Sequence, residues 1–390
     1  MLLLATLQKN NEIPFHFKAA GVRVYSFEEA VYHVYHNWKQ SMDDLLSEAM
    51  LAWVGELGLT MLSARLQGLA QKESIGLSER ILGFLSLIEY FDAGELDLLK
   101  EDLQKWERRY EWEKLKERAD YFITGGEVAK ARGLYTQALT YDENAELYNN
   151  LAIAEMQLGL YDEAVAHFLK AIELSPDNVK LLLHYAEAAI LGGKFADAES
   201  ALAKAEKRAE NPAIIHYLQG LIAFEKNDNI KALVQFGEAI KHDPTTAHYT
   251  HKLADVYIRM RQYEKALESL ARIKQKKSGC YVKEAEIHAA SGNTPAAIRA
   301  IKTALGGAAL GGGLSQGLTA DLWVRLAMYH RLNLDMKEAE TAITRALELN
   351  PDSERARMEN ARIKKGLGKT REYQAVMNDV LRSFRKGYRE

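Results

Sequence analysis

Residues 145–176 read AELYNNLAIAEMQLGLYDEAVAHFLKAIELSP. Ala164, Phe168 and Ala171 stand at i, i+4 and i+7, which places them on one helical face. Small residues at the outer two positions let a second helix approach closely, and the aromatic ring fills the space between. Twelve residues before Ala164 stands another small residue, Ala152, the contact point of a preceding helix. Gly159 lies between the two and signals a turn. The segment therefore predicts a helical hairpin.

The same pattern returns along most of the chain. It appears at Ala131/Tyr135/Ala138, Ala198/Leu202/Ala205, Ala232/Phe236/Ala239, Ala266/Leu270/Ile273, Ala297/Ile301/Ala304 and Ala339/Ile343/Ala346. First members are spaced 33, 34, 34, 34, 31 and 42 residues apart. Small residues precede each by twelve: Ala119, Ala186, Gly220, Ala254, Ala285 and Ala327. Hairpins of this kind cannot bury their apolar faces alone, so stacking is required. The 42-residue step holds the segment 306–317 with six glycines, which reads as a flexible loop. A last, degenerate unit from Glu354 lacks the triplet and is rich in Arg and Lys, as a polar terminal cap would be.

The set Tyr148, Leu151, Ala152, Tyr161, Ala164, Phe168, Ala171 and Pro176 resembles the tetratricopeptide-repeat consensus, and Pro244 and Pro351 match its terminal proline. The resemblance runs over about residues 112–387. It implies an all-α, right-handed superhelical solenoid with a concave groove that binds other proteins. The expected array covers 111–387, with about seven repeats and the degenerate cap.

Residues 1–110 do not show the repeat and read as a separate, mostly helical domain. Met1–Leu7 and Gly21–Tyr25 have patterns suited to short strands. Ser26 followed by Glu29 is a capping box that opens a helix to about Gln40. Further helices are expected near Asp43–Val54, Leu57–Ala70, Glu73–Tyr90 and Ala93–Arg109.

Composition narrows the function. The net charge of -3 gives no general nucleic-acid footprint. Residues 354–390 carry 11 Lys/Arg against 5 Asp/Glu, but only Phe384 and Tyr388 could stack on bases. No window approaches the ~20 apolar residues of a membrane span. A single cysteine, Cys280, and a start that lacks a basic leader point to the cytoplasm.

No catalytic constellation, cofactor motif or metal set is expected. Gly366-Leu-Gly-Lys369-Thr370 lacks the first glycine of a phosphate loop and the strand before it. His33/His36 and His248/His251 have i, i+3 spacing but no evident third ligand. An enzyme with its active site in residues 1–110 is the rival reading.

Two candidate surfaces lie on the first helices of the hairpins. The polar one comprises Lys116, Asp120, Asn150, Lys180 and His184. Chaperone-binding members of the resembling family hold a C-terminal carboxylate with Lys and Asn, then Asn, then Lys and Arg from three successive units. Lys116, Asn150 and Lys180 match that clamp and imply a chaperone C-terminus as partner. Asp120 and His184 depart from it, by adding a negative charge and by removing a permanent cation. The apolar surface comprises Ile214, Tyr217, Leu218, Leu221 and Phe224, five groove positions of unit four, the pattern of a peptide-binding hot spot.

Overall fold

The computed structural model describes residues 14–72, 75–208, 211–309, 315–351 and 353–387. Within them lie twenty-two helices and one two-stranded antiparallel sheet. The chain divides into two compact units, residues 1–208 and 209–390. That division falls inside the repeat array rather than at 110/111.

The N-terminal unit opens with β1 (Phe15–Phe17) and β2 (Val22–Val24), paired Phe15 to Val24. Only the second lies in a stretch the sequence marked; Met1–Leu7 is outside the described residues. Six helices follow: α1 (Phe27–His36), α2 (Trp38–Ser41), α3 (Glu48–Glu56), α4 (Thr60–Ala70), α5 (Leu77–Leu85) and α6 (Ala93–Glu107). Ser26 caps α1 by accepting from the Glu29 backbone N–H, while Glu29 reaches back to the Tyr25 N–H instead of Ser26's own. The helix ends at His36, short of Gln40, because Asn37 leaves the helical region. Phe15, Phe17, Phe27, Trp38, Trp53, Phe84 and Trp106 share one core with aliphatic residues of α1, α3, α4, α5 and α6.

Three hairpins complete this unit: α7 (Glu111–Thr124) with α8 (Val128–Ala138), α9 (Ala145–Gln157) with α10 (Tyr161–Leu174), and α11 (Val179–Leu191) with α12 (Phe195–Glu206). The β1–β2 turn packs on the first of them. Ala19 is buried in that hairpin's core, and a Cβ on Gly125 would lie 2.5 Å from the Lys18 carbonyl oxygen. Only glycine fits there.

The C-terminal unit holds five hairpins: α13 (Ala213–Glu225) with α14 (Asn229–His242), α15 (Ala247–Arg259) with α16 (Tyr263–Ala271), α17 (Ser278–Ala290) with α18 (Thr294–Ala309), α19 (Gln316–Leu332) with α20 (Met336–Leu349), and α21 (Glu354–Gly366) with α22 (Thr370–Gly387). The small residues that define the repeat are buried throughout. Ala119, Ala152, Ala254, Ala285 and Ala327, and the leading Ala of every triplet, are 0% exposed.

Each hairpin turns on one residue with positive φ: Gly126, Gly159, Gly193, Asn227, Arg261, Gly292, Leu334 and Gly368. In each the next backbone N–H reaches back to a carbonyl five residues earlier, as in Glu127 to Phe122 at 2.8 Å and Lys369 to Lys364 at 3.0 Å. This is the Schellman closure, which satisfies carbonyls the helix end leaves open. The last step, from Leu334 to Gly368, is again 34 residues. The degenerate eighth unit therefore keeps the repeat's backbone although it lost the Ala triplet.

The 42-residue step is taken up in helix length. Of the segment 306–317, residues 306–309 end α18 and 316–317 begin α19, which Ser315 caps. Residues 310–314 lie outside the described residues.

Candidate interaction surface

First helices of neighbouring hairpins touch one another through side chains from one face. In the N-terminal unit, Lys116 on α7 sits 3.0 Å from Asp120 one turn on and 3.0 Å from Glu146 on α9. Burial alone would lower its pKa; hydrogen bonds to Glu146 and Asp120 outweigh this and hold it above the usual lysine value. Asp120 also accepts from the Tyr135 hydroxyl. Lys116 is therefore neutralised by the protein's own carboxylates, and Asp120 is tied to its own hairpin.

Asn150 belongs to a second cluster. Asn149 donates to Asn150 Oδ1 at 3.0 Å, and His184 Nδ1 donates to Asn149 Oδ1 at 2.8 Å. Burial, aided by the charge of Lys180, depresses the His184 pKa, so the ring is neutral near pH 7. It bridges α9 and α11 as a hydrogen-bonding group and does not present a cation. Lys180 is exposed on the first turn of α11. The structure thus brings Asn150 and His184 together through Asn149, and sets Lys116 apart with Glu146. Asn149 and Glu146 were not among the sequence candidates; the signal was their place on α9 beside Asn150.

The five apolar positions of α13 separate into two groups. Tyr217 and Leu218 are 7% and 1% exposed. The Tyr217 hydroxyl bonds His248 Nε2 at 2.7 Å, and its ring packs 5.2 Å from Tyr249 and 5.9 Å from Phe236. Both side chains belong to the packing between hairpins. Ile214, Leu221 and Phe224 are half-buried and share one face at i, i+7 and i+10. The Arg259 guanidinium lies 3.3 Å over the Phe224 ring and donates to Asn227 Oδ1 at 3.1 Å. A cation–π pair thus borders the remaining apolar patch.

Beyond α15 the same face becomes a chain of alternating charge. Lys252 is 4.0 Å from Asp255, Asp255 is 2.8 Å from Lys283, and Lys283 is 2.6 Å from Glu286. Glu286 is 2.8 Å from Arg325, Arg325 is 2.7 Å from Asp321, and Asp321 pairs with Arg355. The series links α15, α17, α19 and α21. Burial would raise the Glu286 pKa, but the Lys283 and Arg325 contacts prevail and lower it.

The sequence features set aside as non-functional occupy structural places. Gly368 is the turn of the eighth hairpin, and Lys369 pairs with Glu340 at 2.7 Å. His251 Nε2 lies 3.4 Å from the buried Cys280 thiol, whereas His248 faces Tyr217. Among the described residues no group of three His, Cys, Asp or Glu is placed to hold a metal ion. No described helix is long and apolar enough to cross a membrane.

Models of the tetratricopeptide repeat match residues 145–178, 186–250 and 282–354. Among curated proteins, the BBSome complex member BBS4 homolog of Drosophila melanogaster is 27% identical over 164 residues, covering 38% of this chain and 33% of that protein. The BBSome complex member BBS4 of Bos taurus is 27% identical over 155 residues, covering 38% and 29%. The matched region spans about a third of the length of these relatives. Among solved structures, yeast Tom70 aligns with a TM-score of 0.57 at 17% identity, over 91% of this chain and 88% of that one. A tetratricopeptide repeat protein from Parabacteroides merdae aligns over 65% of this chain and 98% of its own, with a TM-score of 0.47 at 15% identity.

Proposed function

This chain is a tetratricopeptide-repeat protein, in general character a protein-interaction scaffold, and on that premise we propose that it binds a partner segment on its first-helix face without catalysing a reaction. The partner is a peptide or helix of another cytoplasmic protein. Its main anchor is the part-exposed apolar patch of Ile214, Leu221 and Phe224. The observation that carries this reading is the contrast of that patch with its surroundings. The neighbouring first-helix positions on α15 and α17 hold charges already paired to one another, whereas these three side chains keep apolar surface in water. An aromatic anchor buried on binding contributes about 2 kcal/mol or more, and an exposed ion pair at most ~1 kcal/mol.

The carboxylate clamp is the weaker reading. Its first lysine, Lys116, already balances Asp120 and Glu146, so a peptide carboxylate would have to displace them. His184, in the arginine position, is uncharged.

The test pairs affinity capture from native extract with melting curves for Leu221→Asp, Phe224→Ala and Lys180→Ala. The expected result is at least about tenfold loss of partner for Leu221→Asp, equal to ~1.4 kcal/mol, and a smaller loss for Lys180→Ala. Unchanged capture by a folded Leu221→Asp protein would remove the patch from the site. A larger loss for Lys180→Ala would restore the clamp.

A further inference from the structure

Glu187 is a carboxylate of the first-helix face that has no cation. It lies on α11, one turn beyond His184, whose ring reaches α9 through Asn149. Residues three apart share a helical face, so Glu187 belongs to the face that meets α9. It is half-buried. Burial raises its pKa, and no charge or hydrogen bond counters the shift. Among the described residues the only other carboxylate with a raised pKa is Asp44, and that one accepts from the Lys18 backbone N–H at 2.8 Å.

The sequence explains why Glu187 is left alone. Elsewhere on this face a carboxylate takes a cation from the first helix before or after its own. Glu146 is held by Lys116, Asp255 by Lys283, Glu286 by Arg325 and Asp321 by Arg355. The first helices that precede and follow α11 in the chain, α9 and α13, contain no Lys or Arg. Lys180, on α11 itself, stands seven residues earlier, about 10 Å along the helix axis.

A second acceptor stands one turn away. His184 Nδ1 donates to Asn149 Oδ1, and the ring is neutral, so Nε2 carries a lone pair. Among the described residues no donor reaches that nitrogen. Two acceptors one turn apart, one of them anionic, suit a cation that carries several N–H donors. A half-buried carboxylate without a partner bears its desolvation cost uncompensated, and an arriving cation would offset it.

We propose that Glu187, with His184 Nε2, receives a Lys or Arg side chain of a partner polypeptide docked on the first-helix face of the N-terminal unit. The inference rests on that face being a binding surface, as proposed above, and not on the α13 patch. A metal ion fits less well, since among the described residues no group of three His, Cys, Asp or Glu is placed to hold one. The charge is opposite to that of a carboxylate clamp: at this position the partner presents a cation.

The test pans a phage library of random nine-residue peptides on the full chain, with counter-selection on Glu187→Gln. Enriched peptides should share a Lys or Arg. Replacing it by acetyl-lysine or citrulline keeps most of the side chain and removes the charge. This should weaken binding to the wild type at least about tenfold, and binding to Glu187→Gln by no more than about twofold. Glu187→Gln should melt at or above the wild-type temperature, because no internal partner is lost. The proposal is overturned if no peptide distinguishes the two proteins, or if the neutral replacement costs the same on both. It is overturned equally if Glu187→Gln lowers the melting temperature, which would reveal an internal partner. Magnesium or spermidine alone, raising the melting temperature of the wild type but not of Glu187→Gln, would replace it with a small-cation site. Unchanged capture by Leu221→Asp would remove the α13 anchor without touching this cycle, and a missing coupling would remove Glu187 without touching that anchor, so the two readings fail separately.

Discussion

The first-helix faces of the two units are built on the same hairpin and solve the problem of adjacent polar residues differently. In the N-terminal unit the contacts are short and separate: Lys116 with two carboxylates, then Asn150, Asn149 and His184. In the C-terminal unit, charges from four successive first helices join into one series from Lys252 to Arg355. A repeat array places equivalent positions of neighbouring units beside one another. Where their signs alternate, each residue finds partners on both sides and the hairpins are knitted together. Where they do not, amides and a neutral imidazole bridge the step.

The largest expected effect tests that difference directly. Glu286→Lys sets three cations side by side at the centre of the series and is expected to cost about 3 kcal/mol, measured by urea denaturation. Glu146 in the N-terminal unit is itself 61% exposed, so Glu146→Lys is expected to cost at most ~1 kcal/mol. Equal losses would show that the series is no more than a set of independent pairs. The same comparison has a pH signature. Glu286 has its folded pKa below the ordinary glutamate value of about 4.3. Its stabilisation is therefore complete above that value and lost as pH falls through the lower, folded one. The stability gap between wild type and Glu286→Gln should be full at pH 7 and narrow below about pH 4, followed by denaturation midpoints across pH.

A second, smaller effect concerns one position of the repeat. Six hairpins carry Ala at the first-helix contact point, and α13 carries Gly220. A Cβ there would lie 2.7 Å from the Phe236 ring. Gly220→Ala should destabilise the C-terminal unit by about 2 kcal/mol through overpacking, although helix propensity alone predicts a gain of up to ~1 kcal/mol. A gain in melting temperature would mean that Phe236 yields readily.

The smallest effect lies in the turns. Gly126, Gly159 and Gly193 serve all three hairpins of the N-terminal unit, whereas in the C-terminal one Asn227, Arg261 and Leu334 take the left-handed conformation in three hairpins and Gly292 and Gly368 in the other two. Arg261→Gly and Leu334→Gly should each stabilise by about 0.5–1 kcal/mol by relieving the Cβ clash. A drop in melting temperature for either would show that the side chain contributes more than its backbone strain costs.

The hairpins were legible because their determinants are local. Ala164, Phe168 and Ala171 share a helical face by spacing alone, and Gly159 marks the turn within fifteen residues of all three. The turn residue was the more durable signal: Gly368 keeps the register in the unit where the Ala triplet is gone. β1 was not legible, since Phe15 to Phe17 is too short to show a period, and the glycines of 306–309 read as loop although the helix continues through them. For the candidate surface, the sequence named first-helix positions but could not say how their side chains are occupied.

Periodicity, small residues and turn glycines, all within one hairpin's length, determined that this protein is a helical repeat array. Tertiary structure decided which polar and apolar groups on it are still available. Lys116 is spent on Glu146 thirty residues away, His184 on Asn149, and Tyr217 on His248. Those pairings depend on the distance and rotation between successive hairpins. A few ångströms separate a free cation from a neutralised one, and that geometry is set by packing between units rather than by the spacing of residues within any of them.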